Sequence, residues 1–445
     1  MVAFTTTSQR EPPGGEDAWN AYRRDTAAFA RHVAILATGR DPVVPDFPPL
    51  VPAADIRSRL GDRQLILSFH WTDGGLTGVL ESRDRFAIWD VRQAAGLPAE
   101  IALFARGLCL FDAQAPVGTD KLAASDWRGP AARIERMLFE NSRVALGEGI
   151  DELVIVPDGW LWYVPFELLP VSSAEPGTAA ASARRLGESC RIRYCPTRSL
   201  AVAGFQPPGA PGPVGVVAGR MNRGDDAATI ADVLSRVGGT VERTVPVAGG
   251  GPPDAETASV FAALAVFDES VGDGAQACLA PSAPGRAGIS FADWLAPPPK
   301  RPWLVVLPGM QTALATGLED KSLPSRPGDD LFLPTTDLLA AGAHTAVVSR
   351  WRAGGATCVA LMSEFLREAT AAQAEPVDPV TELWRRAVEI GTAERPDPAR
   401  EPRLRQSGDA VLDDARHPFF WAGYVLVDRG SEPAPAAAAA PGKAP

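Results

Sequence analysis

The chain has 445 residues, of which 46% are hydrophobic, so it can bury a substantial core without disulfide bonds. Its net charge of −11 argues against nucleic acid and anionic membranes as partners, and no run of Lys or Arg offsets that charge. The five cysteines match no zinc or redox spacing, no apolar run is long enough to span a bilayer, and the N-terminus lacks a secretory signal. We therefore expect a soluble cytoplasmic protein that holds no metal and no cofactor.

The two ends of the sequence differ from the rest. Residues 16–40 carry aromatic and aliphatic side chains at helical spacing, and a proline-rich stretch follows them. This pattern predicts an N-terminal helical segment and linker over residues 1–48. Residues 430–445 are rich in Ala and Pro and have no apolar period, which predicts a disordered tail.

Residues 49–204 predict a smaller α/β unit. The stretch QLILSFHWTDGGLTGVLESRDRFAIWDV has the pattern of antiparallel strands and turns at residues 73–75. A helix is predicted over 129–146, and residues 152–170 predict a buried strand, a turn at 157–159 and a second, aromatic strand. We expect the aromatic side chains of that second strand to pack in the core, with an exposed partner-binding face as the alternative. They are Trp160, Trp162, Tyr163 and Phe166.

Residues 205–429 change to strict alternation of strands and helices after the linker PPGAPGP. This succession predicts one mostly parallel sheet of about six strands with helices on both faces. The predicted strands are VGVVAG, TVERTVPV, AVFDES, WLVVLPG, HTAVVSRW and AGYVLVD.

Four segments of the chain together resemble a known family. They are LVIVPDGWLWYVPFELLP, AVFDESVGDG, LVVLPGMQT, and HTAVVSRWRAGGATCVALMSEFLRE with HPFFWAGYVLVD. Their order and spacing resemble the CHAT domain, a caspase-like and separase-like group of clan CD cysteine peptidases, over roughly 51–428. The resemblance implies that 49–204 form a degenerate caspase-like lobe with PDG and PFE motifs. It also implies that 205–429 form the caspase-like lobe.

The resemblance also implies a Cys-His dyad, in which a thiolate attacks and an imidazole transfers protons. The position that matches the cysteine is Met310, and the retained Thr312 fixes the register. The position that matches the histidine is Val271, while an earlier family histidine is matched by Phe267. A thioether has no proton to lose and a valine cannot accept one, so the pattern predicts that no residue of this site is catalytic.

Other titratable and nucleophilic side chains are candidates to replace the dyad. The four histidines, His32, His70, His344 and His417, and the thiol of Cys278 are expected to be structural. A nucleophile at Ser270 or Thr312 has only carboxylates nearby as a base. Those carboxylates, Asp268, Glu269 and Asp273, are expected to form a solvated loop rather than a cation site.

The leading hypothesis is a catalytically inactive CHAT-like pseudoprotease. It acts by protein–protein binding, as a scaffold or as a regulatory partner of a protease or of a defence or signalling effector. The partner's identity and the choice between homo- and hetero-oligomer stay open. The alternatives are an active peptidase with a relocated nucleophile and a structural subunit of a larger assembly. We expect a remnant cleft to be lined by Gly272, Gly309, Gln311, Thr312, Asp158 and Trp351.

Overall fold

The computed structural model describes most of the chain between residues 51 and 430. The described ranges are 51–72, 74–110, 115–142, 144, 146, 149–171, 184–202, 212–218, 226–237, 244–247, 258–273, 278–281, 289–290, 302–312, 314, 327–340, 342–351, 354–372 and 378–430. The predicted helix over 16–40 and the predicted tail from residue 431 onward lie outside these ranges.

The first half of the chain supplies six strands and six helices among the described residues. The strands are β1 (Gln64–Thr72), β2 (Gly75–Glu81), β3 (Phe86–Val91), β4 (Val117–Gly118), β5 (Glu152–Val156) and β6 (Arg191–Tyr194). The helices are α1 (Ala53–Ser58), α2 (Leu97–Gly107), α3 (Thr119–Ala123), α4 (Arg128–Phe139), α5 (Leu186–Ser189) and α6 (Arg198–Ala201). Short 3-10 turns occupy Ala94–Gly96, Gly159–Tyr163 and Phe166–Leu168.

The second half contains strands and helices, and between residues 263 and 311 it adds short strands that the sequence did not predict. Its described strands are β7 (Val214–Ala218), β8 (Thr244–Val247), β9 (Ala263–Phe267), β10 (Ser270–Asp273), β11 (Cys278–Pro281), β12 (Ile289–Ser290), β13 (Leu304–Leu307), β14 (Met310–Gln311), β15 (Thr345–Ser349), β16 (Leu404–Arg405) and β17 (Tyr424–Asp428). Its helices are α7 (Asp226–Val237), α8 (Asp329–Ala340), α9 (Gly355–Ala372) and α10 (Val380–Gly391), with a 3-10 turn at Pro418–Phe420.

One mixed, mostly parallel sheet runs through both halves. Within the described residues it has eleven strands, in the order β3-β2-β1-β5-β6-β17-β15-β13-β9-β7-β8. The expected mostly parallel α/β architecture is therefore present, with more strands than the six predicted. Six of the eleven come from residues 205–429, and the difference arises because β17 pairs with β6 of the first half. A second sheet, β12-β11-β10-β14, and the pair β16-β4 complete the strand pairing described.

The central strands of the large sheet are buried on both faces. Along β13, Leu304 and Val306 belong to one apolar core, whereas Val305 and Leu307 belong to the other. Side chains alternate between the faces of a strand, so a strand covered on both faces needs an unbroken apolar run. This explains the run WLVVL in the sequence.

Buried charges hold the two halves together where β6 meets β17. The guanidinium of Arg193 forms an ion pair with Glu152 at 2.9 Å and donates to the carbonyl oxygen of Asp428 at 2.7 Å. The carboxylate of Asp428 accepts a hydrogen bond from the Thr345 hydroxyl at 2.5 Å and lies 3.3 Å from Nδ1 of His344. Burial acts to raise the pKa of Asp428, but its contacts with His344, Arg193 and Thr345 outweigh that effect and lower it.

Two predicted elements were wrong in type or length. Residues 159–168, predicted as an aromatic strand, form two 3-10 turns, and the positive φ of Gly159 ends the extended backbone there. The helix predicted over 129–146 ends at Phe139. Trp162, Tyr163 and Phe166 are nevertheless fully buried, as expected for core residues. No helix in the described ranges is both long and apolar enough to cross a bilayer.

Candidate remnant active site

β13, where the sequence resemblance predicts the nucleophile strand, ends at the carboxyl edge where chemistry is usually found in a parallel sheet. β13 stops at Leu307, the chain turns at Pro308-Gly309, and Met310 starts the short strand β14. Met310 is 0% exposed and packs in the core. The Ser349 hydroxyl donates to its carbonyl oxygen, and its strand partner is Ser270. The thioether therefore occupies a closed, apolar position.

Val271, at the position where the resemblance predicts the catalytic histidine, lies on the strand beside β14. β10 pairs in parallel with β14, which places Val271 opposite Gln311 and Gly272 one residue further along. The backbone N–H of Ser270 donates to the carbonyl oxygen of Gly309 at 2.9 Å. The two positions without dyad residues, Met310 and Val271, therefore lie on adjacent strands, one residue apart in register. Gly309, Gln311 and Gly272, which were expected to line a remnant cleft, lie in the β10–β14 ladder or its turn.

Thr312 is tied to the end of β15. It is buried, and its hydroxyl donates to the carbonyl oxygen of Arg350. A hydroxyl committed as a donor to a backbone carbonyl is not poised to lose its proton to a base. Thr312 therefore holds β13 and β15 together at their carboxyl ends.

Trp351 does not line a groove, which corrects the expectation from sequence. Its side chain is 2% exposed and packs in the core against Gly423. A Cβ at Gly423 would lie 2.7 Å from Nε1 of Trp351, so only glycine leaves room for the indole. The resemblance implied an indole near the cleft, but the side chain of Trp351 turns inward instead.

The expectation for Asp158 also needs correction. Asp158 follows the carboxyl end of β5, and this end points in the direction opposite to the carboxyl end of β13, where Met310 lies. β5, β6 and β17 are mutually parallel, whereas β17 is antiparallel to β15. The carboxyl end of β5, where Asp158 lies, therefore points away from the carboxyl end of β13. The carboxylate of Asp158 instead accepts a hydrogen bond from the backbone N–H of Trp71 at 2.7 Å and joins the ends of β5 and β1.

A separate cleft of about 370 Å³ surrounds Asp158. It is formed by the carboxyl ends of β1, β5 and β6 and by the loop that precedes α8. Its walls include His70, Trp162, Arg198 and Asp329. Arg198 is already paired with Glu81 at 2.7 Å, so its charge is largely neutralised. The cleft was not predicted, because the direction of the first-half strands relative to β13 is a property of the tertiary fold.

None of the four described cysteines is activated. Cys190, Cys195 and Cys358 are buried, and burial raises the pKa of each thiol to about 12. Burial also raises the pKa of Cys109. A thiol of this kind is protonated at neutral pH and is a poor nucleophile. The side chain of Cys278 lies outside the described residues.

His417 contacts a serine, but in the wrong protonation state for catalysis. Its Nδ1 accepts a hydrogen bond from the backbone N–H of Phe419 at 3.1 Å, so the ring proton belongs on Nε2. Nε2 lies 2.5 Å from Oγ of Ser125 and donates to it. Burial lowers the pKa of His417 to about 4, which keeps the ring neutral. A general base needs an unprotonated Nε2 facing the serine, so this pair caps the turn at Pro418 instead.

The remaining candidates are placed as follows. His344 is buried at the amino end of β15, where Nε2 meets the carbonyl oxygen of Gly430 at 3.1 Å. Asp268 is buried, and its carboxylate accepts a hydrogen bond from the backbone N–H of Glu269 at 2.9 Å. Among the described residues, no three His, Cys, Asp or Glu side chains are grouped in a way that could hold a metal ion. His32 lies outside the described residues.

A buried polar network that the sequence did not reveal links the site to the PFE motif. Arg350 is 0% exposed, and its guanidinium lies 4.6 Å over the ring of Tyr194. The Tyr194 hydroxyl donates to the carboxylate of Glu167 at 2.8 Å and accepts from the backbone N–H of Phe166 at 2.9 Å. Burial raises the pKa of Glu167, and the Arg350 charge partly opposes that rise. An arginine in an otherwise apolar strand end was the only sequence signal for this network.

Comparison with known proteins gives a structural likeness only. No protein-family model matches the sequence, and no curated protein matches it either. Two crystal structures of the Saccharomyces cerevisiae separase–securin complex are similar, with TM-scores of 0.44 and 0.45 at 6% and 8% identity. Each alignment covers 85% of this chain. The chain spans 31% and 30% of the length of the two chains that it matches.

Proposed function

We propose that this chain is a catalytically inactive, CHAT-like pseudoprotease that acts through protein–protein binding. Its role would be that of a scaffold or a regulatory partner of a protease or of a defence or signalling effector. The observation that carries the proposal is the burial of Met310 at the end of β13, where the resemblance puts the nucleophile. A packed thioether there supplies neither a nucleophile nor room for a scissile carbonyl.

The chemistry of the other candidate nucleophiles supports inactivity. The described thiols are buried and protonated. The hydroxyl of Thr312 is bonded to Arg350, and Ser125 faces a protonated Nε2. Together these contacts disfavour the alternative of a peptidase with a relocated nucleophile, because a nucleophile needs an adjacent base that is free to accept its proton.

A peptidase assay with matched variants tests the proposal. The wild-type chain should cleave no peptide in a fluorogenic library and should not react with a thiol-directed peptidase probe. The double variant Met310→Cys with Val271→His rebuilds a thiol and an imidazole on adjacent strands, and it should also stay unlabelled, because position 310 is buried. Labelling of this variant would show that position 310 opens to a ligand. The matched control, Met310→Ala with Val271→His, has the same histidine but no new thiol and should stay unlabelled.

Peptide cleavage by the wild-type chain would overturn the proposal if one substitution abolished it. Cys278→Ala and Ser125→Ala are the two changes to try first. If the wild-type chain is inert, affinity capture from its host then separates the remaining alternatives. A single stoichiometric partner that is a protease or an effector supports the regulatory role, whereas a fixed multi-subunit complex favours a structural subunit.

A further inference from the structure

β3 (Phe86–Val91) forms one edge of the eleven-stranded sheet, and two large apolar side chains stand exposed on it. Phe86 is 60% exposed and Ile88 is 62% exposed. The strand contains no Pro, Gly or Lys, and its six pairs with β2 run without a bulge. Prolines, lysines and bulges normally protect an edge strand from pairing with another strand. Because β3 has none of them, its free edge can pair with a further strand.

The hydrogen-bonding phase of the β2–β3 hairpin shows which backbone groups face outward. The backbone N–H of Ser82 donates to the carbonyl oxygen of Arg85 at 2.8 Å, so these residues form a hydrogen-bonded pair. Hydrogen-bonded pairs alternate along an antiparallel ladder. In the register of this hairpin, the N–H and C=O groups of Phe86, Ile88 and Asp90 therefore point away from β2.

The outward-facing backbone groups and the exposed side chains thus belong to the same residues. Phe86, Ile88 and Asp90 share one face of β3, while Trp89 and Val91 are buried on the other face. A strand that paired here would gain backbone hydrogen bonds and would also cover Phe86 and Ile88. Within the described residues, Phe86 is covered only in part, by the guanidinium of Arg57 at 5.1 Å from its ring centre.

We propose that β3 pairs antiparallel with β3 of a second copy of this chain and so extends the sheet across a two-fold axis. Ile88 lies at the axis and pairs with Ile88 of the other copy. This choice of register rests on charge. It brings Asp84 of one copy beside Arg92 of the other, twice by symmetry, whereas a shift that pairs Phe86 with Ile88 brings Asp84 beside Asp90.

Both members of the proposed ion pair are free to form it. Asp84 and Arg92 are exposed, and neither has a hydrogen-bond or ion-pair partner in the described part of the chain. A contact between identical strands is self-complementary, as a two-fold dimer requires. Strand pairing of this length buries less surface than a permanent dimer does, so we expect a reversible, concentration-dependent association.

Sedimentation of the full-length protein over a range of concentrations tests the proposal. The mass should rise from 46.9 kDa towards twice that value. Ile88→Lys should weaken the dimer at least tenfold, whereas Val411→Lys, a matched change at another exposed apolar residue, should leave it unchanged. A monomer at every concentration, or a dimer that Ile88→Lys does not weaken, would overturn the proposal.

Charge reversal and cross-linking test the register. Asp84→Arg and Arg92→Asp should each weaken the dimer, and the two changes together should restore it. Ile88→Cys should form an inter-chain disulfide under mild oxidation, because two such residues across the axis would have Cα atoms about 5.5 Å apart. Ala87→Cys is the control. It should not form an inter-chain disulfide, because in this register residue 87 of one copy lies opposite Trp89 of the other copy. If Ile88→Lys abolishes the binding of a different protein by a chain that is always monomeric, the edge serves that partner and the proposal is wrong.

Discussion

The side-chain Nε of Arg350 donates a hydrogen bond to the carbonyl oxygen of Trp162 over 2.9 Å. The contact joins the end of β15 to the segment that follows the PDG turn, and so joins the two halves of the chain. The same guanidinium donates to the carbonyl oxygen of Ala422 at 3.1 Å. The backbone N–H of Arg350 donates to the carbonyl oxygen of Gly423 at 2.7 Å. Arg350 is thus a buried structural cation beside the remnant site rather than a group that faces a ligand.

We predict that Arg350→Met destabilises the protein by about 3–5 kcal/mol. The change leaves the Trp162 and Ala422 carbonyl oxygens unpaired and removes the cation that opposes Glu167, and a guanidinium cannot deprotonate to avoid its burial. Urea unfolding at neutral pH measures the loss. Arg395→Met, a change at an exposed arginine, should shift the midpoint very little, and equal shifts for both variants would contradict the structural role.

The glycine of the PDG turn is required by both its backbone and its neighbours. Gly159 has φ of 55°, and a Cβ on it would lie 2.8 Å from Cδ1 of Trp71. A β-carbon at Gly328 would in turn strike the carbonyl oxygen of Gly159, so the first-half turn and the loop before α8 are in close contact.

Gly159→Ala should therefore destabilise the protein by about 1–3 kcal/mol through left-handed strain, together with the displacement of Trp71. Thermal unfolding measures the combined loss. Gly149→Ala is a suitable control, because Gly149 also has a positive φ of 75° but would meet nothing within 4 Å. A larger loss at Gly149 than at Gly159 would show that the packing against Trp71 contributes nothing.

The third prediction concerns pH. Glu401 is buried, accepts a hydrogen bond from the backbone N–H of Thr357 at 2.8 Å, and has its pKa raised to about 7 by burial. A raised carboxyl pKa means that the folded state holds the proton more tightly than the unfolded state. Glu401 therefore costs no stability below pH 4.5, costs increasingly more as the pH rises towards 7, and costs a constant amount above that value.

Glu401→Gln should accordingly be close to neutral at pH 4.5 and stabilising at pH 8, by up to about 3 kcal/mol. The side-chain oxygen of Gln can still accept from Thr357. Urea unfolding of both proteins across this pH range gives the difference directly, with Glu394→Gln at an exposed site as the control. A difference that does not change with pH, or one that favours the wild-type protein at pH 8, would contradict a raised pKa.

Much of the fold could be predicted because its signals are local. The sequence of β13 is the unbroken apolar run LVVL, and the hairpin β1–β2 turns at Gly75, which adopts a positive φ. Apolar periodicity and turn chemistry act over a few residues, so the sequence carries them directly. The prediction of a strand for the aromatic segment after Asp158 was wrong, because consecutive apolar residues suit a packed 3-10 turn as well as a strand.

The same distinction between local signals and long-range contacts applies to the candidate site. Met310 and Gln311 lie beside the strand that carries Val271, and the sequence could indicate this because a strand end and its turn are local features. Asp158 and Trp351 were misplaced, since their positions depend on the direction in which distant strands run and on which face a side chain turns to.

The sequence by itself determined that Met310 and Val271 stand at the two positions where the resemblance predicts a thiol and an imidazole. Only the tertiary structure decided that Met310 is sealed in the core, that β17 joins both halves into one sheet, and that Asp158 lies at the opposite edge. The reason is physical: the chemistry of a side chain is fixed by its identity, whereas its burial and its partners arise from contacts between residues far apart in the chain.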